Sequence, residues 1–443
     1  MDRLSALDAS FLAVEGPTTP MHVGWVAEFD GAAGLEELYE HIAGRLGHAP
    51  RFRQRLAEVP LAVHDPVWVD DADFDPRRHL LPAGAKEIGA IMDSVLSSPL
   101  RRDRPLWEIT IAGGDRVALV GKMHHCMVDG TAAVQLANLL LDADPDGRRD
   151  TAPPPAWSPA EVPSAGSRLA RASVDRTGDF AALALTPLRL AGSPRRLPGT
   201  IARGARTAAR ALLPLAPPSS LNRPGSALRH HVRVTRSLGE IRAIRRRFRV
   251  TPNDVLLTAC AGALRRYAQD HGEEPQPLKA MVPADVRSSE DPEGGNRISF
   301  VFFRLPCDEP DPVERLHAVH GATAERASDG AAETLDAAFR ALARTPTPVQ
   351  HVLAHAFAHP RLFNLTVSSV AGPAPPRYLR GCRLRSIHSA VPLAARHALS
   401  IGVLTVAGNA CLGLTADPST LPDADALAGD LDAAFDELLA RAR

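Results

Sequence analysis

The spacing of apolar side chains divides the chain into short segments of two kinds. GWVAEFDG (24–31) and VWVDD (67–71) carry the alternation of a strand, whereas LEELYEHIAGRLG (35–47) repeats apolar residues at helical spacing. DRVALVGKMHH (115–125) reads as a strand running into a pair of histidines. GTAAVQLANLLLDA, which follows, has helix-forming composition, and Asp129, Gly130 or Thr131 is available to cap it. A strand-to-helix turn often presents side chains to a cleft, so this turn is the first place to look for chemistry.

From about Leu228 the same mixture returns. Strands are expected at HHVRVTRSL, LKAMVPADV, RISFVFFRLP, FNLTVSSVAG, HALSIGVLTVAG and ACLGLTAD, and helices at VLLTACAGALRRYAQ and DADALAGDLDAAFDELLARA. The last of these reads as an acidic amphipathic surface helix. No repeat of fixed period is visible.

Between these parts the pattern breaks down. Prolines, glycines and arginines punctuate the segment from about Asp144 to Pro224, which predicts a connector with a few short helices. No acidic residue lies between Asp179 and Glu240, against ten arginines. LPGTIARGARTAARALLPL places Ile201, Ala205, Ala208, Ala209 and Leu212 on one side of a helix and Arg203, Arg206 and Arg210 on the other. Such a helix, within 186–215, suits an anionic membrane surface; an arginine-rich linker helix packed across two domains fits equally well. The expected division is thus 1–145, 146–227 and 228–443, with two mixed α/β domains joined by the connector.

Composition narrows the function classes. A chain of 443 residues exceeds one ordinary core, and an apolar fraction of 45% is typical of globular proteins. The 51 basic and 51 acidic side chains cancel, which removes the general electrostatic argument for nucleic-acid binding. Five scattered cysteines, none in a C-x-x-C pair, argue for a reducing compartment and against a disulfide framework or a cysteine-rich zinc site. The N-terminus, with Asp2 and Asp8 among its apolar residues, lacks the order of a signal peptide, and no window approaches 18 uninterrupted apolar residues. A cytoplasmic protein, soluble or peripheral to a membrane, is expected.

The turn itself reads KMHHCMVDGT (122–131). As a metal site it is short of ligands, because adjacent histidines leaving a strand cannot easily face one ion. As a core feature, two imidazoles and a carboxylate would need polar partners inside apolar surroundings. As a general base with structural support it makes sense, since a neutral imidazole takes a proton from a hydroxyl and returns it to a leaving group. Cys126 beside the histidines invites a nucleophile, but a small buried hydrophobe suits that position better. His351, His355 and His359 recur at helical spacing without an acid or cysteine nearby, so a helix face is expected there rather than a metal. Trp107 is expected to be a packing anchor.

HHCMVDG (124–130) also resembles the HHxxxDG signature of the bacterial wax ester synthase/diacylglycerol acyltransferase family, within the superfamily of CoA-dependent acyltransferases. LSALDASFLAVEGPTTPMHVG (4–24), RPLWEI (104–109), TPNDVLLTACAGALRRY (251–267), MVPADVRS, GNRISFVFFRLP and NLTVSSVAGP follow in that family's order. The resemblance implies an α/β fold of two chloramphenicol-acetyltransferase-like domains with mixed sheets and an active-site channel between them. It implies His125 as general base, acting without a covalent enzyme intermediate. Asp129 then supports the turn, with Arg287 as its partner. His124 lines the channel or fixes the strand end, and Gly130 lets the helix start close to the substrate path. Asn253, Thr366, Ser368 and Ser369 are candidates to meet the oxyanion; Asn253 and Asp254 equally suit capping of the helix after Pro252.

Two segments depart from the family's pattern. SSVAGP (368–373) stands where relatives carry SNVPGP, and LTVAGNACLGLTAD lacks the expected aromatic residues. The implied activity is transfer of a long acyl chain from acyl-CoA, a co-substrate, to diacylglycerol or a long-chain alcohol. No cofactor, metal or nucleic acid is expected, and the place of work would be the inner face of the membrane or a lipid droplet. The rival readings are a same-superfamily enzyme with another hydroxyl or amine acceptor, and a lipid-binding protein without catalysis.

Overall fold

In the computed structural model, which describes residues 2–127, 130–146, 156–191, 212–285, 298–328, 334–337 and 345–443, the strands build two six-stranded sheets and a small third one. Strands and helices are numbered along the chain. The first sheet runs β12 (Tyr378–Leu379), β13 (Cys382–Ala390), β2 (His22–Asp30), β7 (Val117–His124), β6 (Trp107–Ala112) and β5 (Leu80–Pro82). Its neighbours are antiparallel except β5 and β6. The second runs β10 (Ile298–Leu305), β9 (Leu278–Asp285), β11 (Leu365–Ala371), β14 (Leu399–Val406), β15 (Asn409–Ala416) and β8 (His230–Ser237). Here β11 is parallel to both β9 and β14, and the other pairs are antiparallel. The third joins β1 (Asp2–Arg3), β4 (Val67–Asp70) and β3 (Gln54–Ala57). The chain is thus a mixed α/β protein with two sheet-rich domains, as expected.

β7 shows how the first sheet is held. All eight of its residues are buried, because helices cover both faces. Val117, Leu119 and Met123 join a core with α2 (Leu35–Leu46) and α4 (Gly130–Leu140). Ala118 and Val120 point the other way, to Ile88, Ile91, Met92 and Leu96 of α3 (Ile88–Ser97). Trp107 of β6 is fully buried and donates from its indole to the Phe52 carbonyl at 2.8 Å, the packing anchor expected of it.

The second sheet carries the largest core, with α6 (Leu238–Phe248), α7 (Pro252–Asp270), α8 (Pro312–Ser328) and α10 (Ala424–Ala442) contributing to it. α10 is more than a solvated surface element, since Leu427, Leu431, Phe435 and Leu438 are all buried in that core. The period of these four residues carries the packing, and the acids occupy the remaining face.

Two outcomes were not legible in the local pattern. β12 and β13, from the C-terminal third of the chain, join the first sheet, where β13 pairs with β2. Among the described residues of the connector, α5 (Ala165–Ala191) runs for 27 residues, longer than the short helices expected there. Its first half is mostly exposed, with Ala172 and Arg176 its buried points, so its apolar stripe is too thin to mark a long helix. Arg176 anchors it through the Val63 and Thr345 carbonyls and the Thr347 hydroxyl. The basic helix expected around 201–211 lies outside the described residues.

Candidate active site

The histidine pair sits where β7 ends. His124 is the last residue of the strand and pairs with His22 of β2, and Gly130 opens α4 as the motif predicted. Backbone bonds hold the turn: the His124 N–H donates to the Leu106 carbonyl at 2.9 Å, and the His125 N–H donates to the Met21 carbonyl at 2.9 Å. The Cys126 N–H donates to His124 Nδ1 at 3.1 Å. Asp129 and Arg287, the expected supporting pair, lie outside the described residues.

The helix α1 (Ala6–Val14), capped at its start by reciprocal bonds between Ser5 and Asp8, delivers two more groups to the pair. Phe11 lies flat on the His125 ring, with centroids 3.8 Å apart and 12° between planes. Glu15, at the end of α1, accepts from the Met21 N–H at 3.1 Å and from the Arg102 guanidinium, and its Oε1 faces His124 Nε2 at 3.4 Å, long for a hydrogen bond. Burial would raise the Glu15 carboxyl, but the donors around it, His124 first and then Arg102 and the Met21 amide, outweigh this and hold it at about 2. Burial, with the Lys122 charge next, pulls the neighbouring His22 down to about 3, so its ring is neutral. Lys122 itself is buried and satisfied by the Val95 and Ser98 carbonyls and by Glu108 at 3.3 Å.

Sequence reasoning missed Phe11, Glu15 and Met21 as individual site residues. A signal for Glu15 existed: an acid at the C-terminal end of a helix opposes the helix dipole, so it is better explained by a partner elsewhere.

Cys126 is buried, and burial pushes its thiol well above the usual range, which fits the hydrophobe rather than the nucleophile. Asp254 is fully committed as a cap. It bonds the Thr251 N–H, the Thr323 hydroxyl at 2.7 Å and His320 Nδ1 at 2.8 Å, and its carboxyl is lowered because these donors outweigh burial. Asn253 beside it occupies the second position of α7. Thr366, Ser368 and Ser369 lie on β11, against Ser400, Gly402 and Val403 of β14, with Thr366 buried and Ser369 exposed. His351 and His355 lie on exposed positions of α9 (Thr347–Phe357), and among the described residues no three acids, histidines or cysteines are placed to hold a metal.

An apolar pocket, partly open to solvent, runs between β2, β7, β13 and α4. Val23, Trp25, Leu119, Ala137, Leu140 and Ile387 are among its walls. Two of these elements, β2 and α4, have their first residues close in the fold to the histidine pair: His22 pairs with His124, and α4 follows the motif in the chain.

Comparison with known proteins gives the family of the chain. Residues 4–256 match the family model "Wax ester synthase/diacylglycerol acyltransferase catalytic domain", and residues 294–439 match "WS/DGAT C-terminal domain". A Mycobacterium tuberculosis (strain CDC 1551 / Oshkosh) protein bearing the name diacylglycerol O-acyltransferase is 34% identical, covering 99% of this chain and 90% of its own. A Mycobacterium bovis protein of the same name is 31% identical over 99% of both chains. Among solved structures, the wax ester synthase/diacylglycerol acyltransferase of Marinobacter aquaeolei VT8 superposes with a TM-score of 0.71 at 24% identity, covering both chains fully. A starter condensation domain of rhizomide synthetase, solved with C8-CoA, reaches 0.59 at 15% identity, covering 100% of this chain and 94% of its own.

Proposed function

The chain belongs to the wax ester synthase/diacylglycerol acyltransferase family of acyl-CoA-dependent acyltransferases, and on that premise we propose that it moves a long acyl chain from CoA to diacylglycerol, or to a long-chain alcohol, with His125 as general base. The observation that carries this reading is the His125 ring, seated under Phe11 where β7 ends, in the same layer whose β2, β7 and α4 line an apolar pocket.

The acceptor hydroxyl gives its proton to His125 as its oxygen attacks the thioester carbonyl. The tetrahedral oxyanion collapses, the C–S bond breaks, and the imidazolium returns the proton to the departing CoA sulfur. Holding both substrates at one base supplies much of the rate, and the acyl group passes directly from the CoA sulfur to the acceptor oxygen without a covalent enzyme intermediate. Thr366, Ser368, Ser369 and Asn253 remain the candidates for meeting the oxyanion.

Exposed apolar side chains support contact with a lipid surface. Val349, Val352 and Leu353 stand out from α9, which packs against α1, and Leu213 and Leu215 are exposed on the neighbouring segment. Among the described residues no helix is long and apolar enough to cross a membrane. Peripheral seating at the inner membrane face or a lipid droplet is therefore part of the proposal.

The test is incubation of purified protein with palmitoyl-CoA and a competing pair of acceptors, dioleoylglycerol and hexadecanol, followed by identification of the ester. Triacylglycerol or wax ester supports the reading. CoA release only with another hydroxyl or amine acceptor would move the acceptor assignment, to which the altered SSVAGP segment draws attention. His125→Ala should abolish CoA release while leaving the fold intact, and full activity in that variant would end the mechanism.

A further inference from the structure

We infer that Glu15 and His124 form a positioning pair for the transfer: the Cys126 amide fixes the tautomer of His124 so that Nε2 faces the Glu15 carboxylate, and Glu15, through Met21, sets the place of His125. The inference rests on the reading of His125 as the base.

The lock follows from donors and acceptors alone. His124 Nδ1 accepts the Cys126 N–H at 3.1 Å, so in a neutral ring the proton sits on Nε2. That nitrogen faces Glu15 Oε1 at 3.4 Å, and the ring is almost fully buried. A second proton on His124 would have to displace the Cys126 amide from Nδ1. His124 is therefore held by the Cys126 amide on one side with the Glu15 carboxylate facing it at 3.4 Å on the other, and in the proposal it takes no part in the proton cycle.

Glu15 in turn holds more than His124. Its Oε1 accepts the Met21 N–H at 3.1 Å, and the carbonyl of that same residue accepts the His125 N–H at 2.9 Å. One residue, Met21, therefore links the anion to the base. The Arg102 guanidinium on Oε2 completes the cradle and leaves the carboxylate charged. α1 thus fixes the pair twice, with the Phe11 ring on His125 and the carboxylate facing His124. A base displaced by an ångström loses much of its rate, so this cradle acts on kcat.

Four variants of the full chain, His124→Gln, His124→Ala, Glu15→Gln and the double variant Glu15→Gln/His124→Ala, are assayed for CoA release from palmitoyl-CoA, with Tm measured alongside. Glu15→Gln sets a neutral amide where the Met21 amide and the Arg102 guanidinium donate and His124 Nε2 faces, and kcat is expected to fall about ten- to a hundredfold, the loss of a charged hydrogen-bond set, with KM for palmitoyl-CoA changed less than about threefold. His124→Ala falls comparably. His124→Gln, which offers a donor and an acceptor but no titrating nitrogen, restores most of the activity. In the double variant the two losses do not multiply. The inference is overturned if Glu15→Gln keeps wild-type kcat, or if its loss tracks Tm or KM rather than kcat. It is also overturned if His124→Gln is as inactive as His124→Ala, because His124 would then be exchanging protons. Failure of wild-type protein to release CoA with any acceptor would instead count against the proposed function.

Discussion

The ring of Phe11 lies on the ring of His125 with 3.8 Å between centroids, although 114 residues separate them along the chain (125 − 11). The stack confines the imidazole to one plane, and a π face beside it would favour the imidazolium of the proposed general-base step. Phe11→Leu keeps apolar bulk but loses both effects. We expect kcat to fall about three- to tenfold, in line with the worth of a stacked pair, while Phe11→Tyr stays close to wild type; steady-state CoA release with both variants checks this.

The cavity between β2 and α4 should measure the acyl chain. Ala137→Phe places a ring in it, and the kcat/KM ratio of palmitoyl-CoA to octanoyl-CoA should drop at least about tenfold. Gly121→Ala should act in the same direction from the other wall, because a Cβ there overlaps the Trp25 indole and drives it toward the cavity. An unchanged ratio in both variants would show that the chain lies elsewhere.

Arg45 of α2 and Asp142, just beyond α4, form an ion pair in which both side chains are buried. The Asp142 backbone also exchanges hydrogen bonds with Tyr378 at the sheet edge, so the pair ties α4 to β12. Arg45→Leu strands the carboxylate and should cost about 3–5 kcal/mol, read from urea unfolding. Arg45→Leu combined with Asp142→Leu should recover part of that loss.

His230 of β8 bridges Asp93 of α3 at 2.7 Å and Asp425 of α10 at 2.9 Å. Burial lowers this imidazole, but the two carboxylates outweigh it and raise it above the ordinary histidine value. A folded pKa above the unfolded one adds stability that is complete below about 6.5 and disappears as pH rises through the folded pKa. The Tm difference between wild type and His230→Gln should accordingly be largest near pH 6 and shrink toward about pH 9. A difference that is flat or grows with pH would contradict the charged bridge.

The placement of the candidate site was legible in KMHHCMVDGT and its setting. A strand buried on both faces ends in His124, and α4 starts at Gly130, as the change from strand to helical spacing implies. The capping role of Asp254 was also readable, while the N-cap itself proved to be Thr251, which together with Asp254 forms a capping box. Glu15 and Phe11 were not. Each looks like an ordinary member of a short apolar helix, and what each does depends on partners 109 and 114 residues away (124 − 15 and 125 − 11).

The sequence by itself determined the elements with strong period, the strand-to-helix turn, the candidate base and the family, because each is encoded by residues close together or by ordered motifs. Only the tertiary structure decided that β13 crosses to pair with β2, that α5 is one long helix, and that the end of α1 holds the histidine pair. Those outcomes depend on which buried faces and which unsatisfied donors meet across the chain. Periodicity states that a face must be covered, but complementarity of shape and charge selects what covers it.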